Sequence, residues 1–135
     1  TAVDAVVKAW ARHALVAHAD HVAGPVWLRL SFNSGLSFSF NHSASTMSAM
    51  ITVAAALGVV VVGLRARDGA AAWGFGLLLG GGVANLVDRL AATPHVVTDY
   101  LAVSSFPVFN LADVSITAGF VVLLVTVARG GRLTR

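Results

Sequence analysis

Apolar residues collect in three long runs: Met47–Leu64 (MSAMITVAAALGVVVVGL), Ala70–Val87 (AAAWGFGLLLGGGVANLV) and Leu111–Ala128 (LADVSITAGFVVLLVTVA). Each is about 18 residues, close to the roughly 20 that a helix needs to cross a hydrocarbon core. Only helices and closed barrels satisfy their own backbone in lipid. These runs are too long for barrel strands and lack their alternation. The pattern therefore predicts transmembrane helices at 47–64, 70–87 and 111–128. A buried helix of a soluble core is the competing reading, but three such runs leave too little polar sequence to cover them. From Ala23 to Asn41 the pattern changes to an alternation of bulky with small or polar residues (Trp27, Leu28, Leu30, Phe32, then Phe38 and Phe40). This predicts a small β element over 23–41 at the membrane surface, with its turn at Asn33-Ser34-Gly35. Trp10, Trp27 and Tyr100 read as interfacial anchors. The expected fold class is an all-α membrane protein, a helical bundle with a small extracytoplasmic β-sheet element, in one domain over residues 1–135.

The charges orient this arrangement. Arg65 and Arg67 lie between the first two runs, and Arg129, Arg132 and Arg135 follow the third. If each run crosses once, both basic segments share a face, and the positive-inside rule puts that face in the cytoplasm. Thr1–Ser45 and Arg89–Asn110 then lie outside, which requires something to carry the start of the chain across. The expectation is a preceding helix whose outer end reaches into residues 1–12, or a cleaved signal peptide.

Composition narrows the chemistry. Hydrophobic residues make up 57% and charged residues 11%, well below the roughly 25% charge of a soluble domain. The sequence pI of about 10.7 points to nucleic acid only superficially, because the net charge is +3 and the basic residues form no single patch. Nucleic acid is not an expected partner. The absence of Cys excludes a disulfide framework and a cysteine nucleophile. The six acidic residues are all Asp, and several stand in or beside apolar runs, where a carboxylate is expensive.

Asn85 and Asp88 are three apart at the end of the second run, and Asn110 and Asp113 are three apart at the start of the third. Residues at this spacing share a helix face, so two helices each present an N-x-x-D face at the same depth. Asp99 lies in the loop expected between them. A structural ion pair, Asp88 with Arg89 or Lys8, is the plain reading of one carboxylate; Asp113 has no following cation until Arg129. Two facing carboxylates can share a proton and activate water for attack on an amide. No metal or cofactor is called for, and His18 and His21 read as outer-loop residues. Ser104 and Ser105 lack the G-x-S-x-G elbow of a serine hydrolase. Gly76-Leu-Leu-Leu-Gly80 reads as helix packing rather than a phosphate loop, since no Lys-Ser/Thr follows.

In order, Asp4-Ala-Val-Val-Lys8 with Trp10, Asn33-Ser-Gly35-Leu-Ser-Phe38, Gly80-Gly-Gly-Val-Ala-Asn85-Leu-Val-Asp88-Arg89, Val97-Thr-Asp99-Tyr100 and Phe106-Pro-Val-Phe109-Asn110-Leu-Ala-Asp113 form a pattern that resembles lipoprotein signal peptidase (signal peptidase II), the bacterial inner-membrane aspartic protease family. Ala84 and Val7 stand where that pattern has Gly and Thr or Ser. The resemblance implies a four-helix bundle in the bacterial cytoplasmic membrane with its site near the extracytoplasmic face. It also implies an endopeptidase with Asp99 and Asp113 as the catalytic pair. Asn33, Gly35, Asn85, Asp88, Arg89 and Asn110 would support the pair and the substrate, and Asp4 and Lys8 would shape the site. The implied substrate is a diacylglyceryl prolipoprotein cut just before its lipidated Cys. Membrane lipid and peptide antibiotics such as globomycin are the further implied partners. Two other classes compete: a proton-coupled carrier with Asp88 and Asp113 as a relay, and a non-catalytic scaffold built on Gly76-x-x-x-Gly80.

Overall fold

A computed structural model describes residues 2–34, 42–66, 69–91 and 96–134, with side chains omitted for 42–46. In chain order the elements are α1 (Ala2–Ala14), β1 (Asp20–Ala23), β2 (Val26–Asn33), α2 (His42–Gly63), α3 (Gly69–Ala91), β3 (Val97–Val103) and α4 (Leu111–Ala128). The helices over the apolar runs form because nothing polar competes for their backbone. Among the described residues, α3 and α4 are long and apolar enough to cross a membrane, and α2 contributes a shorter apolar stretch, Met47–Gly63.

Large apolar side chains face outward along these helices: Leu57 is 61% exposed, Trp73 74% and Leu124 68%. Surfaces of this kind are rare on soluble monomers and match a lipid surround. Between α3 and α4 a core of Ala71, Phe75, Leu78 and Leu123 forms, and glycines bring the two backbones close. A Cβ on Gly74 would lie 2.6 Å from Leu123 Cδ2, and one on Gly119 would lie 2.7 Å from the Gly74 carbonyl. Gly76, read from the sequence as half of a packing motif, faces open space instead. The close face runs through Gly74 and Gly81, two helical turns apart and therefore on one side.

Three strands build an antiparallel sheet in the order β1-β2-β3. The turn between β1 and β2 lies at Gly24-Pro25, with Gly24 at φ +51°; the turn expected at Asn33-Ser34-Gly35 falls partly outside the described residues. One expectation is corrected: the segment around Asp99, expected as a loop, is the third strand. Its β-branched Val97, Thr98 and Val103 and aromatic Tyr100 suit a pleated surface. Its pairing partner β2 is distant in sequence, so no local hairpin signal marks it. Gly35, Phe38 and Phe40 lie outside the described residues.

The underside of the sheet packs on α1 through Ala11, Leu15 and Tyr100. Tyr100 is thus buried at 3% exposure and is not an interfacial anchor, whereas Trp10 and Trp27 are 45% and 43% exposed. At the far end of the bundle, Ala66 and Thr134 form an isolated antiparallel bridge. The turn after α2 and the tail after α4 therefore lie together, away from the sheet.

Candidate active site

The end of α3, the start of α4, strand β3 and the inner face of α1 converge at one end of the bundle. Asn110 organises the meeting point. It is the N-cap of α4: its side chain accepts from Asp113 N while Asp113 Oδ2 accepts from Asn110 N, a reciprocal capping box. The spacing of three that marks a shared helix face also marks this cap. Asn110 Nδ2 lies 2.6 Å from Asp99 Oδ1 and 3.2 Å from Asn85 Oδ1. Asn85 Nδ2 in turn donates to Asp113 Oδ1 at 2.8 Å. One fully buried asparagine therefore ties the β3 carboxylate to the α4 carboxylate, and Asn85 closes the ring from α3. Asn33 adds a side-chain hydrogen bond to Asp99 from β2.

Burial and the nearby Asp113 push the Asp99 carboxyl up to about 6, although Asn110, Asn33 and Lys8 pull it back. Both dominant causes penalise the charged form. The chain thus holds a carboxyl that changes protonation near neutral pH beside a second one.

Behind the pair is a charged shell. Lys8 is 2% exposed. Its Nζ donates to Asn85 Oδ1 at 2.8 Å, stands 2.8 Å from Asp4 Oδ2 and 3.8 Å from Asp88 Oδ2. The Asp4 contact is an ion pair without hydrogen-bond alignment, as Asp4 Oδ2 has no hydrogen-bond partner among the described residues. The other Asp4 oxygen accepts from Ala112 N at 3.2 Å, placing an anion on the first turn of α4, where the helix dipole favours it. Tyr100 Oη, 3.5 Å from Asp4 Oδ1, accepts from Leu111 N. Burial is the main cause that lifts the Tyr100 phenol to about 12. Lys8→Met would keep the bulk and remove the charge. It is expected to cost about 3–5 kcal/mol, the usual penalty for breaking a buried pair from one side. Thermal unfolding in detergent measures this, and an unchanged Tm would show that Asp4 and Asp88 do not depend on Lys8.

Asp88 pairs with Lys8, one of the two cations expected from the sequence, but its nearer cation is Arg12 of α1, which bonds Asp88 Oδ1. Arg89 lies within electrostatic range of Asp88, Asp99 and Asp113 and is 8% exposed. Of the site residues read from the sequence, the structure gathers Asp4, Lys8, Asn33, Asn85, Asp88, Arg89, Asp99, Asn110 and Asp113. Gly35 lies outside the described residues. Arg12, Thr98 and the buried role of Tyr100 were not read from the sequence. The signal for Arg12 was available: Asp4, Lys8 and Arg12 recur every four residues and make one stripe on α1.

Beside the pair, an apolar groove of about 690 Å³ is lined by Asn33, Phe106, Pro107, Phe109, Val114 and Val121, among others, and reaches Asp113. The carboxylates thus sit at one end of the bundle, next to the sheet. A carrier binds near the midplane, so the carrier reading gains nothing from this placement.

Fold and site together define a membrane protein that presents paired carboxylates at one end of a helical bundle, beside an apolar groove. The chain belongs to the signal peptidase (SPase) II family, whose model matches residues 1–129. It is 38% identical over 112 residues to the lipoprotein signal peptidase of Rhodococcus jostii (strain RHA1), covering 75% of this chain and 57% of that one. The lipoprotein signal peptidase of Streptomyces coelicolor is 37% identical over 112 residues, covering 77% of this chain and 54% of that one. That of Mycobacterium leprae (strain Br4923) is 37% identical over 98 residues, covering 69% and 48%. The chain spans about half the length of these curated relatives. Its fold matches a bacterial membrane enzyme solved in meso at 2.3 Å, with TM-score 0.83 and 20% identity over 95% of this chain and 82% of that one. A second such structure, solved at 1.9 Å, gives TM-score 0.81 with 93% and 85% covered.

Proposed function

We propose that the protein is an aspartic endopeptidase that removes the signal peptide from diacylglyceryl-modified prolipoproteins, cutting before the lipidated Cys. The observation that carries this reading is the Asp99–Asn110–Asp113 constellation at the edge of an apolar groove. Asp113, which accepts from Asn85 and from the Asn110 backbone, takes a proton from water as that water attacks the scissile carbonyl carbon. Asp99, whose carboxyl keeps its proton up to about pH 6, gives it to the carbonyl oxygen. Collapse of the tetrahedral intermediate breaks the C–N bond as one of its hydroxyls returns its proton to Asp99 and the proton on Asp113 passes to the leaving nitrogen. The groove beside Asp113 offers apolar surface to the lipid of the substrate, and a peptide antibiotic of the globomycin kind would compete there.

The basic end of the bundle, with Arg65, Arg129 and Arg132, lies opposite the site. The positive-inside rule then favours a multi-pass arrangement in the bacterial cytoplasmic membrane, with the site at the extracytoplasmic face. The test is incubation of the full-length protein in lipid nanodiscs with a diacylglyceryl-modified precursor and with the same precursor unmodified. The expected result is a product, identified by mass, that begins at the lipidated Cys and forms only from the modified precursor. Cleavage of neither, or of both equally, would sink the reading.

A further inference from the structure

The carboxylate pair rests on two supports of different quality. Asp113 is fixed from its own helix by the capping box. Asp99 is on a strand, and the strand ladder is irregular where it matters. Leu28 pairs with Leu101, and the next partners are Ser31 and Asp99. Two residues of β2, Arg29 and Leu30, therefore oppose the single residue Tyr100. Such a bulge interrupts the ladder hydrogen bonds and lets the strand bend. Backbone pairing alone holds Asp99 loosely on that side.

The neighbouring residue, Thr98, is held from elsewhere. Arg12 Nε donates to Thr98 Oγ1 at 2.8 Å, and Arg12 Nη2 bonds Asp88 Oδ1. Asp88 Oδ2 accepts from the backbone N–H of Thr98, which closes a ring of three residues drawn from α1, α3 and β3. Thr98 is 1% exposed and Asp88 6%, so each bond is shielded from water, while the Arg12 side chain itself is 36% exposed. The two nitrogens used by Arg12 belong to one rigid guanidinium fork. That fork sets the spacing between the Asp88 carboxylate and the Thr98 hydroxyl, and so fixes the peptide that leads into Asp99.

We propose that Arg12 is a positioning residue that locks Asp99 into place through the Asp88–Thr98 ring. This deepens the peptidase reading and rests on it. Arg12 touches neither carboxylate of the pair; it acts on their geometry. Without it, Asp88 keeps the Thr98 N–H, the more distant Lys8 and the electrostatic pull of Arg89. Lys8 is then drawn toward Asp88 and away from Asn85, whose amide orients Asp113, so the loss reaches both carboxylates. Reactions that depend on alignment lose as much as about 100-fold from a displacement near 1 Å.

The experiment uses the full-length protein in nanodiscs with Arg12→Ala, Arg12→Lys, Thr98→Val and the Arg12→Ala/Thr98→Val double variant. Arg12→Ala is expected to lower kcat about 10- to 100-fold with KM within about threefold of wild type. Arg12→Lys should recover part of that loss, because one ammonium reaches Asp88 but does not fork onto Thr98 as well. The double variant should be no worse than the poorer single, as for residues in one network. Amide hydrogen exchange at 97–101 should be at least about tenfold faster in Arg12→Ala. Wild-type kcat in Arg12→Ala, multiplicative losses in the double variant, or unchanged exchange would each overturn the proposal. If the wild-type protein does not cleave the precursor, the peptidase reading fails by itself. The exchange rates, which need no substrate, then decide whether Arg12 fixes the strand.

Discussion

Asp113→Asn and Asp99→Asn are each expected to reduce cleavage of the lipidated precursor by at least about 1,000-fold, with the double variant no worse than either single. On the proposed mechanism the two carboxyls form one device. Each needs the other, one to take the proton of water and one to supply a proton, so removing either removes the function of both. An initial-rate assay on the three variants checks this, and appreciable turnover by Asp113→Asn would rule out the pair as the catalytic device.

Asp99→Asn carries a second, opposite consequence. The folded chain holds the Asp99 proton up to about pH 6, whereas an unfolded Asp releases it near pH 4. Below about pH 4 both states are protonated and Asp99 makes no difference. As pH rises through 4 to 6 the unfolded state alone gains from ionising, so stability falls; above about 6 the loss is constant. It is on the order of 3 kcal/mol. Asn at this position keeps the carbonyl oxygen that accepts from Asn110 and removes the ionisation. The inactive variant should therefore melt higher than wild type at pH 8 and at the same temperature at pH 4. Thermal scans at both values measure it. Equal Tm at pH 8 would mean that the buried carboxyl costs the fold nothing.

Most of the bundle was legible because membrane helices announce themselves by uninterrupted apolar sequence. The N-x-x-D spacing also put Asn85 and Asp88 on one face of α3, since a period of three to four is local geometry, whereas for Asn110 and Asp113 the same spacing marks a helix cap. What the sequence concealed was non-local. Strand β3 is short, carries an Asp in its middle and pairs with β2 across the whole length of α2 and α3. Arg12 belongs to no motif; only its four-residue spacing from Lys8 and Asp4 puts it on their stripe of α1. Tyr100 was assigned to the interface on residue type alone, whereas its hydroxyl lies between Asp4 and the first turn of α4. The glycines show the same limit. Gly76-x-x-x-Gly80 is the more familiar spacing, but which face of α3 meets α4 depends on where Asn85 must point.

That dependence makes buried Gly81 a sensitive position in the fold. Gly81 is one turn before Asn85 on the same face of α3. A Cβ there would run into the backbone oxygen of Ala112 and lie 2.7 Å from Ile116 Cγ1. A carbonyl in the first turn of α4 has no freedom to swing aside, because the next residue, Asp113, is locked in the capping box with Asn110. Gly81→Val must therefore push the whole helix end away. Overpacking of this kind costs about 1–3 kcal/mol or more, and the displacement falls on the 2.8 Å bond from Asn85 to Asp113. The expected outcome is a lower Tm together with a loss of cleavage of about 100-fold or more, as for a misaligned catalytic group. Gly76→Val, on the open face of the same helix, is the control and should leave both nearly unchanged. If Gly81→Val melts lower yet cleaves at the wild-type rate, the close approach serves stability alone and does not set the Asn85–Asp113 contact. If the two valine variants behave alike, the α3–α4 interface is not where the site is held.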